Sequence, residues 1–305
     1  MPADVTVGTL PASAANAPPG PLLSFWRAFC ENRGAVVGLG VITAIVLVAI
    51  FAPLIAPYSP IEQFRDHVKQ PPFYATGGNW TFPLGTDDVG RDMLSRIIYG
   101  SRISLFIGLS VCVVSVIVGL LMGLLAASVG SIIDVAILRV MDLIMSIPDL
   151  VLAILLVAVL GKPSLTNTII AVTVVFLPRY VRLIRASALA ELQKDYVTAA
   201  RVSGAGRLRI MLSSVLPNCM APLIVQSALG ISDAILEAAG LGFLGLGAQP
   251  PTPEWGAMLA DAREFIQASP WIVTFPGLAI LITVLAINVT GDGLRDALDP
   301  KLRRS

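Results

Sequence analysis

AVVGLGVITAIVLVAIFAPLIA, residues Ala35–Ala56, is a run of 22 residues without a single charged side chain. At about 1.5 Å of rise per helical residue it can cross the roughly 30 Å hydrocarbon core of a bilayer. The rest of the chain points the same way. Of its 305 residues 55% are hydrophobic and 13% charged, with a mean hydropathy of +0.81. Soluble domains carry roughly 25% charged residues, so this chain has too few ions to cover a water-facing surface. It is predicted to be an integral membrane protein.

Working outward, a second apolar run covers Ile103–Gly130. A third, Arg139–Leu160, is interrupted by Asp142, Pro148 and Asp149, and a fourth, Asn167–Ala186, ends in Arg179, Arg182 and Arg185. A fifth, Asn218–Gly247, contains Asp233 and Glu237, and the last, Ala268–Gly291, is uncharged. The expectation is an all-α polytopic protein with six transmembrane helices. Met1–Ser24 has no Lys or Arg and is rich in Ala and Pro, which reads as a disordered cytoplasmic tail rather than a secretory signal.

Short loops rich in Lys and Arg stay in the cytoplasm. Arg179, Arg182, Arg185, Lys194, Arg201, Arg207 and Arg209 cluster around the loop after the fourth span. Arg27 and Arg33 precede the first span, and Arg295, Lys301, Arg303 and Arg304 follow the last. Only Lys162 and Arg263 lie in the loops after the third and fifth spans. With six spans, both termini and the basic loop fall on the cytoplasmic side.

Several functions are excluded. The net charge of +1 argues against nucleic acid as a partner. There is no GxxxxGK[ST] phosphate cradle, nucleophile elbow or HExxH pair. Cys30, Cys112 and Cys219 lie far apart, and His67, the only histidine, reads as solvated in a Pro-rich loop. No residue is given a catalytic or metal-binding role.

The basic loop DYVTAARVSGAGRLRIMLSSVLPN, Asp195–Asn218, has its own pattern. Asp195 is placed to N-cap a short helix, Tyr196–Ser203, that Gly204 stops. A second short helix is expected over Arg207–Ser214, with Pro217 at the start of the fifth span. The result is a compact knob whose small Ala199 and Ala200 let another protein's surface come close.

VTAARVSGAGRLRIMLSSVLP resembles the EAA loop of ABC-importer permeases: Glu-Ala-Ala, three residues, Gly, nine residues, Ile-x-Leu-Pro. Ala199, Ala200, Gly204, Leu216 and Pro217 match; Thr198 stands in the Glu position and Ser214 in the Ile position. GAVVGL, FPLGTDDVGRDMLSRIIYGSRISL, ILEAAGLGFLGLGAQPPTPEWGAML and WIVTFPGLAILITVLAINVTGDGLRDALDPKL extend the resemblance over nearly the whole chain beyond Pro21. Together they are similar to the C-type permease subunits of bacterial dipeptide and oligopeptide ABC transporters. That resemblance implies the transmembrane domain of a type I ABC importer in the bacterial inner membrane. Tyr196, Thr198, Ala199, Ala200, Gly204, Leu216 and Pro217 then belong to the loop that couples to an ATPase. The partners it implies are a second permease, two cytoplasmic ATPase subunits that bind the ATP and Mg, and a periplasmic peptide-binding protein. Its layout would be a cytoplasmic, partly disordered segment 1–34, a first helix 35–56 and a periplasmic segment 57–102. A five-helix permease core 103–292, with the coupling loop at 190–217, and a cytoplasmic tail 293–305 complete it.

Asp233 and Glu237, four residues apart, share one face of the fifth span. Charge in the bilayer costs about 2.5–3.5 kcal/mol per residue on insertion scales, so they should face protein or water. They are read either as lining a translocation path or as bonded to a neighbouring helix. Gly119 and Gly123 form a GxxxG, and Gly240, Gly242, Gly245 and Gly247 crowd the end of the fifth span; both are read as packing devices. GTDDVGRDMLSR, Gly85–Arg96, is expected to hold internal salt bridges and a helix cap, and Trp255 in QPPTPEWG to sit at the membrane interface. The competing class is a proton-coupled secondary transporter with Asp233 and Glu237 as its relay. Within the ABC reading, an oligopeptide, a haem precursor or nickel are the alternative substrates.

Overall fold

The computed structural model describes residues 20–298. Among these the regular secondary structure is helical, with no strands, and a long irregular stretch separates the third helix from the fourth. In chain order the helices are α1 (Pro21–Glu31), α2 (Arg33–Ile50), α3 (Ala52–Ile55), α4 (Met93–Val129), α5 (Ser131–Met145), α6 (Asp149–Val159), α7 (Leu165–Leu192), α8 (Asp195–Val202), α9 (Arg207–Arg209), α10 (Leu216–Phe243), α11 (Trp255–Ala262) and α12 (Trp271–Leu298). The disorder expected of residues 1–24 lies outside the described residues up to 19, and beyond that the chain is helical from Pro21. Lys301, Arg303 and Arg304 also lie outside them.

Among the described residues, four stretches are long and apolar enough to cross a membrane: Arg33–Ile50, Met93–Val129, Arg207–Phe243 and Trp271–Leu298. The third apolar run is not one straight helix. α5 and α6 meet at a 97° bend, and counting the pair as one span brings the total to five. Pro148 accounts for the bend: it offers no N–H and holds Ile147 out of helical geometry. α4 also begins ten residues ahead of its apolar run, at Met93 rather than Ile103. Asp92 is the reason, its side chain accepting the Ser95 N–H at 2.8 Å as an N-cap.

The helices pack where side chains are smallest. A Cβ on Gly119 would come within 2.5 Å of the Tyr180 Cβ, and one on Gly123 within 2.8 Å of the Ile184 Cβ. The GxxxG of α4 thus lets α7 approach its backbone, as small residues do between membrane helices. Around that seam Ile107, Val111, Val172, Phe176, Tyr180 and Leu223 form the main apolar core. At the end of α10 only part of the glycine cluster packs. Gly242 and Gly247 sit against each other and against Glu254, whereas Gly245 has open space around it.

The stretch between α3 and α4 folds on an ion network. Arg91 Nε donates to Asp87 at 2.5 Å, Arg91 also faces Asp88 and Asp261, and Arg96 lies 3.4 Å from Asp87. Burial pushes the Asp88 and Asp92 carboxyls above the usual carboxylate range. Trp255 faces protein and not lipid: it is buried beside Gly100 and donates its indole N–H to the Ile97 carbonyl at 3.1 Å. The buried Glu254 carboxylate fixes this corner by accepting the Gly256 and Ala257 N–H groups.

Candidate functional site

Two places carry polar chemistry in an otherwise apolar bundle. The first is the knob after α7. Helix α8 starts one residue earlier than expected: Asp195 is its first helical residue, and Lys194 takes the cap position with no side-chain bond. α8 buries Val197 against Ile210, Met211, Val215 and Cys219, with Ala200 packed beside them. Thr198, Ala199, Arg201 and Val202 stay exposed. The chain leaves α8 at Gly204, whose φ of +80° is open to glycine at little cost. The expected second short helix does not stand alone. One turn at α9 runs into a π-helix, Ile210–Val215, and on into α10. This wide turn leads Leu216 and Pro217 into the start of α10, so α9, the π-helix and α10 form one unbroken helical stretch, on which α8 packs.

A hydrogen-bonded hub ties α8 to both long helices. The Tyr196 hydroxyl donates to Glu191 at 2.6 Å and accepts from Asn218 Nδ2 at 3.2 Å. Lys194 Nζ donates to the other Glu191 oxygen at 2.7 Å. Desolvation and the bond to Glu191 push the Tyr196 phenol up to about 12, so at neutral pH it remains a donor. Glu191 and Asn218 lie at the two ends of the expected loop but were given no role there, because neither belongs to the spacing that carries its resemblance.

The second place is a charged ladder along α7. Arg185 pairs with Asp134, and Arg182 with Asp142. Arg179 forks, its Nη2 donating to Asp149 at 2.6 Å and its Nη1 to Asp233 at 3.3 Å, with the guanidinium 4.8 Å from the Phe176 ring. The three arginines, placed at the end of the fourth span, are not free charges there: each is paired with an acid from α5, α6 or α10. Of the expected pair, Asp233 is ion-paired, while Glu237 Oε1 is buried with no hydrogen-bond partner. Missed was the pairing of Arg179 with Asp149, not Asp149 itself, which was noted in the third run. Their signal was present in a mid-helix arginine and an acid beside the only proline of the third run.

Comparison with known proteins agrees with this architecture. Residues 92–304 match the family described as binding-protein-dependent transport system inner membrane component. Residues 20–72 match the N-terminal TM domain of oligopeptide transport permease C. The di/tripeptide transport system permease protein DppC of Pseudomonas aeruginosa (strain UCBPP-PA14) is 57% identical over 287 residues, 94% of each chain. The dipeptide transport system permease protein DppC of Escherichia coli (strain K12) is 56% identical over 291 residues, 95% of this chain and 97% of that one. Among solved structures, an inward-facing MetNI methionine ABC transporter superposes with a TM-score of 0.56 at 20% identity, covering 68% of this chain and 98% of the other. That match bears on the fold.

Proposed function

Because the chain belongs to the family of binding-protein-dependent transport system inner membrane components, we propose that it forms half of the path by which an ATP-driven importer takes up dipeptides or short peptides. The observation that carries this is the knob: the eight-residue helix α8, with an exposed outer face, packs through Val197 on a π-helix that is continuous with the long helix α10. A part shaped like this moves α10 when something outside the bundle moves it. The chain is a transport subunit, and ATP hydrolysis with its Mg belongs to two partner ATPase chains. The second half of the path is another permease, and a periplasmic binding protein delivers the peptide.

The sixth span in this reading is α7. Its 28 residues suffice to cross a bilayer, and the arginines that spoil its composition are paired with aspartates. Six spans place both termini and α8 on the cytoplasmic side. Tyr196, Thr198, Ala199, Ala200, Gly204, Leu216 and Pro217 then form and aim the surface that meets the ATPase.

The test is uptake of a labelled dipeptide by cells lacking this chain, with and without its restoration. An uncoupler that spares ATP, and competition by tripeptide and by Ni²⁺, are run alongside. Uptake that returns with the chain and survives the uncoupler supports the reading. Uptake lost to the uncoupler, or unchanged by the chain, ends it. A second expected result concerns the hub. Tyr196→Phe removes the bond to the Glu191 carboxylate and the one accepted from Asn218, together worth about 1 kcal/mol at a half-exposed site where water can replace them. The initial uptake rate should fall roughly fivefold at equal membrane abundance, as a shift of that size implies.

A further inference from the structure

The charges around Arg179 do not balance. One guanidinium faces Asp149 and Asp233, and Glu237 lies one turn further along α10, within electrostatic reach of all three. Three carboxylates against one guanidinium leave an excess of negative charge, and no donor meets Glu237 Oε1. The side chains of Arg179, Asp149 and Asp233 are 38%, 45% and 48% exposed. They lie near the middle of their helices or at the α5–α6 bend, so their open side cannot be hydrocarbon. It faces water or protein.

A groove continues from this cluster along the same faces. On α10, Asn218, Pro222, Gln226 and Leu229 follow helical spacing toward Asp233, and on α7, Leu183 and Ser187 follow Arg179. These residues line an open cavity of about 650 Å³ between α7, α10 and the end of α12. That volume lies within the range of roughly 300–1,000 Å³ usual for small-ligand clefts. The cavity ends at Glu191 and Asn218, the two residues that hold Tyr196 of the knob.

We propose that the α7–α10 groove is this subunit's wall of the peptide path, and that Asp233 and Glu237 form a station for the α-ammonium group of the passing peptide, with Arg179 positioning the carboxylates. The proposal rests on the peptide-importer reading and names the contact within it. Charge complementarity selects the occupant. The cluster lacks a cation, and every unmodified peptide brings one at its amino end whatever its side chains. Below the station the groove alternates apolar Leu183 and Leu229 with polar Ser187 and Gln226, and Glu191 and Arg295 line it as an acid and a base, so the excess negative charge lies at the station.

The test uses the assembled importer in inside-out vesicles, without nucleotide, with Cys30→Ser to remove the exposed native thiol. Single cysteines are placed at Leu229 in the groove and at Ile224 on the opposite face of α10, and labelled with cationic or anionic methanethiosulfonates. Leu229→Cys should react about tenfold faster with the cationic reagent, as an excess of nearby negative charge requires. The preference should vanish when Asp233→Asn and Glu237→Gln are added, while Ile224→Cys stays unlabelled. Millimolar Ala-Ala should slow the labelling severalfold and N-acetyl-Ala-Ala should not. No reaction at position 229 would mean that a partner helix fills the groove, and overturns the proposal. Reaction without charge preference, or equal protection by the acetylated peptide, overturns the station. Labelling rates do not depend on cellular uptake, so a wrong importer reading shows itself separately, as uptake indifferent to the chain.

Discussion

Gly204→Pro is expected to abolish dipeptide uptake while leaving the chain in the membrane at its normal abundance. Gly204 has a φ of +80°, and its N–H donates to the Arg201 carbonyl at 3.0 Å. Proline holds φ near −65° and has no N–H, so it loses that bond and cannot take the turn. The chain would leave α8 in a different direction, and the packing of Val197 on Met211 and Val215 would be lost with it. The bundle itself lies elsewhere and should assemble. Gly204→Ala is the control. A Cβ there meets nothing within 4 Å, so only the backbone cost of about 1 kcal/mol remains, and most uptake should survive. Uptake rates and membrane immunoblots of both variants give the answer. Normal uptake by Gly204→Pro at equal abundance would remove α8 from the mechanism.

Asp87→Ala should be the most damaging substitution outside the membrane-spanning helices, and it acts on stability. Asp87 is 3% exposed and Arg96 2%. Asp87 accepts from the Val89 and Arg91 N–H groups and from Arg91 Nε, and it lies 3.4 Å from Arg96. Removing one partner of a buried pair costs about 3–5 kcal/mol, because the remaining charge is stranded. Arg91 would keep Asp88 and Asp261, but Arg96 would be left with the Pro60 carbonyl at 3.4 Å as its nearest acceptor. The thermal midpoint in detergent should drop sharply and membrane abundance fall. Asp87→Asn keeps an acceptor for the backbone N–H groups and should lose less. A midpoint unchanged in Asp87→Ala would show that the network holds no stability.

The membrane class and most spans were legible because transfer from water to lipid is nearly additive along a segment. Twenty-two uncharged residues from Ala35 carry that signal without any neighbour. The cap at Asp92, the turn at Gly204 and the close approach at Gly119 were legible for a related reason: each depends on one residue's own geometry. The loop's family resemblance rested on spacing, which is a sequence property too. The break at Pro148 in the third span was legible as an interruption, but the 97° angle between its two halves was not, because the angle depends on what each half packs against. Asp195 was misplaced by one position because capping turns on where the first helical φ falls.

Pairing was what only the tertiary structure decided. Arg179 meets Asp149, 30 residues earlier, and Asp233, 54 residues later. No local pattern ties those three together, and taken alone Arg179 counted only as a basic residue at the end of the fourth span. Trp255 likewise read as an interfacial aromatic until Gly100, with no side chain to displace it, was brought alongside. Hydropathy sums over neighbours in the chain, so the sequence by itself determined that this protein lies in a membrane and where a knob leaves it. Ion pairs and cavities depend on which helices meet, so the charged station and the groove beneath it exist only once α6, α7 and α10 have packed.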